Sequence, residues 1–210
     1  MINFAGFGQR METDMYKKQM ILQRIVCMAV LIASALVFVY SLGLMTDLYD
    51  NKLNYYAEDY NNPMVAGSEI YYDMQGFNQA LTVVGIVLIL LAAAQFLFQN
   101  HVRRKYYIAN YVTVGLNTVA AVAASAWGLI KVFTYKDQYL TELDFEGLKA
   151  MSEIFKFSYT ESTFWFDISI FVFGVLMVVT VANVINLLWK MSLMKAEQKL
   201  IEAGKEGKAA

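Results

Sequence analysis

The side chains in this chain that could do chemistry are few, and they lie in apolar surroundings. Asn117, Thr113 and Thr118 fall in one charge-free stretch, and Thr180, Asn183 and Asn186 in another. A spacing of three residues puts Thr180, Asn183 and Asn186 on one side of a helix. An amide without a partner is costly in lipid, so these groups must face one another or water. Counting about 1.5 Å per residue from the helix ends places Asn186 level with Asn110, and Thr180 level with Asn117. The default expectation is a structural ladder between the two helices. The alternative is a polar vestibule open to the cytoplasm.

Asp167 is the one carboxylate expected within the membrane boundary. Lys131 is expected at similar depth, so the two form a candidate ion pair. The first outer loop is rich in tyrosine. Tyr55, Tyr56 and Tyr60 lie too far up an extended helix to belong to an interfacial aromatic belt, which marks them as a candidate outer interface. Cys27 and His101 are the single cysteine and the single histidine. Neither has neighbours at metal-ligand spacing. No phosphate-binding glycine loop, nucleophile elbow or pair of intramembrane carboxylates occurs. The sequence therefore nominates no catalytic residue, no cofactor and no metal site.

The elements that carry these residues are set by charge. Stretches 25–45, 74–100, 106–130 and 168–189 contain no charged residue, and their lengths are 21, 27, 25 and 22 residues. Each meets the roughly 20 residues that a helix needs to cross a bilayer core. Hydrophobic residues make up 58% of the 210-residue chain, and the mean hydropathy is +0.42. Four spans then leave no room for a separate soluble domain.

The net charge of −1 hides an asymmetry, because 12 of the 17 lysines and arginines lie in the two terminal segments and the short loop 101–105. Basic residues beside span ends mark the cytoplasmic side. Both termini are thus expected inside and the two acidic loops outside. One cysteine excludes an internal disulfide, which argues against four-pass proteins stapled by paired outer-loop cysteines.

The fold expected is an all-α membrane protein: a four-helix transmembrane bundle, N-in/C-in, with a small helical outer cap. The spans are placed at about 20–46, 76–99, 106–131 and 164–190, within one bundle over 1–204. Residues 205–210 form a disordered tail. Ser68 is expected to cap span two. A short amphipathic outer helix follows a capping box of Thr141 and Asp144, and a second box, Ser158 with Glu161, precedes span four. Small residues Ala120, Ala124 and Gly128 recur every fourth position in span three, which marks it as the packed centre.

The function this implies is non-enzymatic. The expectation is a small accessory or scaffold subunit, binding no nucleic acid, held in the lipid bilayer of the plasma membrane and binding another membrane protein or its own copy. The alternative is a small transporter or channel subunit that uses the polar faces of spans three and four. For the topology, cysteines introduced singly at Asn62 and Gly147 should react with an impermeant reagent on intact cells. Reaction at Asn100 under the same conditions would reverse the orientation.

Overall fold

The computed structural model describes residues 4–47, 65–99, 107–156 and 158–209. Five helices appear among them, and no strand. They are α1 (Phe4–Asp47), α2 (Glu69–Phe98), α3 (Tyr107–Thr141), α4 (Phe145–Phe155) and α5 (Phe164–Ala209). Four contain segments long and apolar enough to cross a membrane: Lys17–Leu44, Glu69–Phe98, Asn110–Thr141 and Phe164–Ala196. At 28 to 33 residues these segments are about 42–50 Å long, against a hydrocarbon core of about 30 Å.

The helices outrun the expected spans because nothing in the flanking sequence stops them. α3 continues past 131 to Thr141, so the connection that follows it is shorter than its charge pattern implied. α5 runs to Ala209, through the stretch expected as a disordered tail. Ser68 does occupy the N-cap position of α2, but its side chain makes no capping bond and its hydroxyl is buried without a partner.

Neither expected capping box forms. Asp144 itself caps α4, accepting from the Gly147 amide at 3.0 Å, while the Thr141 hydroxyl turns back to the Asp137 carbonyl at 2.8 Å. Ahead of α5 it is Ser162, not Ser158, whose hydroxyl accepts a helix-start amide, that of Phe164 at 3.2 Å.

Each long helix has two principal neighbours: α1 packs on α2 and α5, and α3 packs on α2 and α5. Span three is therefore a corner of a ring, not its centre. All four helices turn one seam inward. On α5 that seam reads Phe166, Ser169, Phe173, Leu176, Thr180, Asn183, Asn186 and Lys190, at steps of three and four.

The seam changes character along its length. At the end that carries α4 (the outer end) Tyr139 is fully buried, with Phe145 and Phe166 each 5.2 Å away, and its hydroxyl donates to the Thr160 carbonyl. This contact ties α3, α4 and α5 together. Gly67, at φ +76°, sits against the Glu142 carbonyl, a conformation and a closeness that exclude a side chain. The middle is apolar, formed by Val37, Leu81, Leu88, Ala121, Phe173 and Leu176. There α1 and α2 approach backbone to backbone.

A Cβ on Gly85 would lie 2.9 Å from the Phe38 Cα, whereas one on Gly115 would meet nothing within 4 Å. Gly85→Leu should cost about 1–3 kcal/mol through forced separation of α1 and α2. Gly115→Leu should leave the thermal midpoint in detergent unchanged. Equal midpoints for the two variants would contradict the close crossing.

Candidate functional site

The third of the seam farthest from α4 (the inner end) is polar. α1 contributes Gln19 and Gln23, α2 Gln95, α3 Asn110 and Asn117, and α5 Asn183, Asn186 and Lys190; all are buried. Helical periodicity puts them together. Gln19 and Gln23 are four apart, and Asn183, Asn186 and Lys190 are three and four apart, so each set shares a face.

Gln95 is the hub. Its Nε2 donates to Asn183 Oδ1 at 2.8 Å and to Cys27 Sγ at 3.2 Å. Its Oε1 accepts from Asn117 Nδ2 and from Asn183 Nδ2, both at 3.1 Å. A carboxamide has two N–H donors and two acceptor lone pairs, and here all four are engaged. One side chain thus links α2 to α1, α3 and α5.

One level further in, Gln19 Nε2 donates to Gln23 Oε1 at 3.1 Å and to Asn186 Oδ1 at 3.4 Å. Gln23 Nε2 donates to Asn110 Oδ1 at 3.3 Å. The Gln23–Asn110 bond crosses one diagonal of the ring, α1 to α3, and the Gln95–Asn183 pair crosses the other, α2 to α5. Packing joins neighbours, whereas the amides join neighbours and opposite corners alike.

The sequence-nominated residues fare differently. Asn117, Asn183 and Asn186 all enter this network. They do not pair directly across α3 and α5 as a ladder, because glutamines of α1 and α2 bridge them. Thr180 stays out, since its hydroxyl donates to the Leu176 carbonyl of its own helix at 2.7 Å. Asp167 pairs with Lys136 at 2.5 Å, not with Lys131, and also accepts from the Thr163 hydroxyl at 2.7 Å.

The correction for Asp167 follows from helix length. With α3 continuous to Thr141, Lys136 comes level with the first turn of α5, while Lys131 lies more than a turn deeper, 5.9 Å from the Tyr135 ring centroid. Tyr55, Tyr56, Tyr60 and His101 lie outside the described residues. Gln19, Gln23, Gln95 and Lys190 were missed. The i, i+4 pairs Gln19/Gln23 and Gln95/Gln99 were the available signal, visible once polar residues in spans one and two are weighed like those in spans three and four.

Gln23, Gln95, Asn110, Val114, Asn183, Asn186, Leu187 and Lys190 line a narrow crevice whose walls approach too closely to admit a water molecule. At the outer end a wider depression of about 370 Å³ is lined by Gly67, Glu69, Ile70, Asp73, Gln138 and Glu142. Among the described residues no group of three or more His, Cys, Asp or Glu could hold a metal ion.

Gln95→Leu strands the Asn117 and Asn183 amides and should cost about 1–3 kcal/mol. A cycle with Asn183→Leu should give a coupling of about 0.6–1.7 kcal/mol, the range for hydrogen bonds between membrane helices. Thr180→Val, which removes only an intrahelical bond, should add independently to Gln95→Leu. Additivity of Gln95→Leu and Asn183→Leu in unfolding measurements would mean the reciprocal pair contributes nothing.

Comparison of the chain with protein-family models, with curated proteins and with solved structures returns no match.

Proposed function

We propose that this chain is a non-enzymatic integral membrane protein, an accessory or scaffold subunit that binds other membrane proteins. In this reading it forms a four-helix transmembrane bundle in the plasma membrane, with both termini cytoplasmic. The orientation rests on the clustering of basic residues in the terminal segments and the short loop.

The observation that carries the reading is the state of the seam. Its hub, Gln95, is fully engaged, and the layer above it is closed by Phe173, Leu176 and Leu81. A transport path would need a polar surface left open for solute through that layer. The outward faces, by contrast, are apolar along every span. Leu97, Val119 and Val178 each expose about 70% of their surface. Such faces suit lipid and the helices of a partner equally.

The alternative, a small transporter or channel subunit, draws on the buried polar residues of α3 and α5 around the inner crevice. The two readings separate experimentally. A photocrosslinking residue at Val119, Val178 or Leu97 in native membranes should give a discrete protein adduct, either a partner or a second copy, from at least one face. Mass spectrometry would identify it. Lipid adducts alone from all three faces, together with solute flux in vesicles holding the purified chain, would replace the accessory reading with transport.

A further inference from the structure

α4 is more apolar than its packing explains. Around its axis Phe145, Leu148, Met151, Ile154 and Phe155 gather on one side, and Glu146, Lys149 and Glu153 on the other. The bundle covers only the first part of the apolar side. Phe145 packs on Tyr139 with ring centroids 5.2 Å apart, and Leu148 is fully buried. Further along, Ile154 is 68% and Phe155 47% exposed. α4 joins none of the principal helix packings, and Leu148 is its one buried residue. A helix of 11 residues is marginal on its own in water, so this one needs a second support.

Its height says what that support is. Tyr139 also meets Phe166 at 5.2 Å, and Asp167, next to Phe166, is the last charged residue before the stretch 168–189. α4 therefore starts at the level where α5 passes from water into hydrocarbon. From that level inward, Phe164, Phe171, Val178 and Ile185 recur every seventh residue on α5, and all are exposed. The apolar face of the span thus reaches up to the level of α4.

We infer that α4 is an interfacial helix whose exposed end, Ile154 and Phe155, is seated in the headgroup–acyl boundary of the bilayer, with Glu146, Lys149 and Glu153 turned to water. An apolar side against acyl chains and a charged side against water is the arrangement that holds an amphipathic helix in the membrane plane. The charged side carries two acids and one lysine, so the seat depends on apolar area and not on anionic lipid. The inference rests on the membrane-spanning reading above; the N-in, C-in orientation decides only which leaflet is involved.

The test uses the full-length chain in phosphatidylcholine vesicles, with a nitroxide on single introduced cysteines. Cys27 is buried and stays in place. Ile154→Cys and Phe155→Cys probe the seat, Glu146→Cys and Glu153→Cys the water side, and Val178→Cys the hydrocarbon. Collision with oxygen reports lipid. Collision with a water-soluble nickel chelate, present on both sides of the membrane, reports water, so vesicle orientation does not matter. Labels at positions 154 and 155 should favour oxygen and read a depth of about 5–10 Å into the headgroup–acyl boundary. The label at 178 should lie deeper, and those at 146 and 153 should favour nickel. Adding phosphatidylglycerol should leave the depth at 154 and 155 unchanged.

Nickel-dominated collision at 154 and 155, equal to that at 146 and 153, would leave this face in water and overturn the inference. Low collision with both reagents would mean protein cover, a second copy where the labels broaden one another, and would overturn it as well. So would a depth reached only with phosphatidylglycerol. A nickel-dominated label at 178 would overturn the membrane-spanning reading itself, and the inference with it.

Discussion

A carboxamide inside a membrane has no water to fall back on, and the inner half of this protein is arranged around that fact. Gln95 carries two donors and two acceptor sites at a depth where any left unpaired would cost free energy. Asn117, Asn183 and Cys27 meet all four. Each partner stands on a different helix, so satisfying one side chain fixes the relative rotation and height of four. An apolar seam alone would tolerate sliding by one turn, because Leu, Val and Ala fill similar space at successive levels. The amide hub does not, since a slip of one turn removes every one of its partners.

The remaining layers act within that register. The close crossing of α1 and α2 at Gly85 brings the helices near enough for Gln95 to reach the Cys27 sulfur. Above it, the outer half relies on ring stacking around Tyr139 and Phe77 and on the exposed Lys136–Asp167 pair. That pair contributes little by itself, because water screens it and two long side chains must be held. Stacked rings at the outer end accept a range of geometries, whereas hydrogen bonds at the inner end do not. The two halves are therefore held by different physics.

The four spans were legible because lack of charge over more than 20 residues is a demanding signal that few other structures produce. Helix ends were not, because a boundary read from charge marks where the membrane stops and not where the helix stops. That difference explains Asp167. Its expected partner was set by the charge-defined end near Lys131, while the helix itself carries Lys136 to its side.

The polar cluster was half legible. Asn117, Asn183 and Asn186 stood out in spans otherwise made of Val, Ala and Leu. The glutamines that complete the cluster sit near span ends, where a polar residue attracts no notice. Only their four-residue spacing tied them to one face, and nothing local says which opposing helix a long amide will reach.

The same geometry leaves the inner end closed but not fully paired. A fully engaged hub resists opening, but the outermost amides, Asn110 and Asn186, are engaged only through their oxygens. A carboxamide bound at one atom still presents the other, and chains of such bonds finish in a uniform polarity set by the first donor. Gln19, with both N–H groups pointing into the layer, is that first donor. It leaves the Nδ2 groups of Asn110 and Asn186 at the far edge of the network, beside the buried Lys190. Register and residual polarity at this end are consequences of one chain of hydrogen bonds.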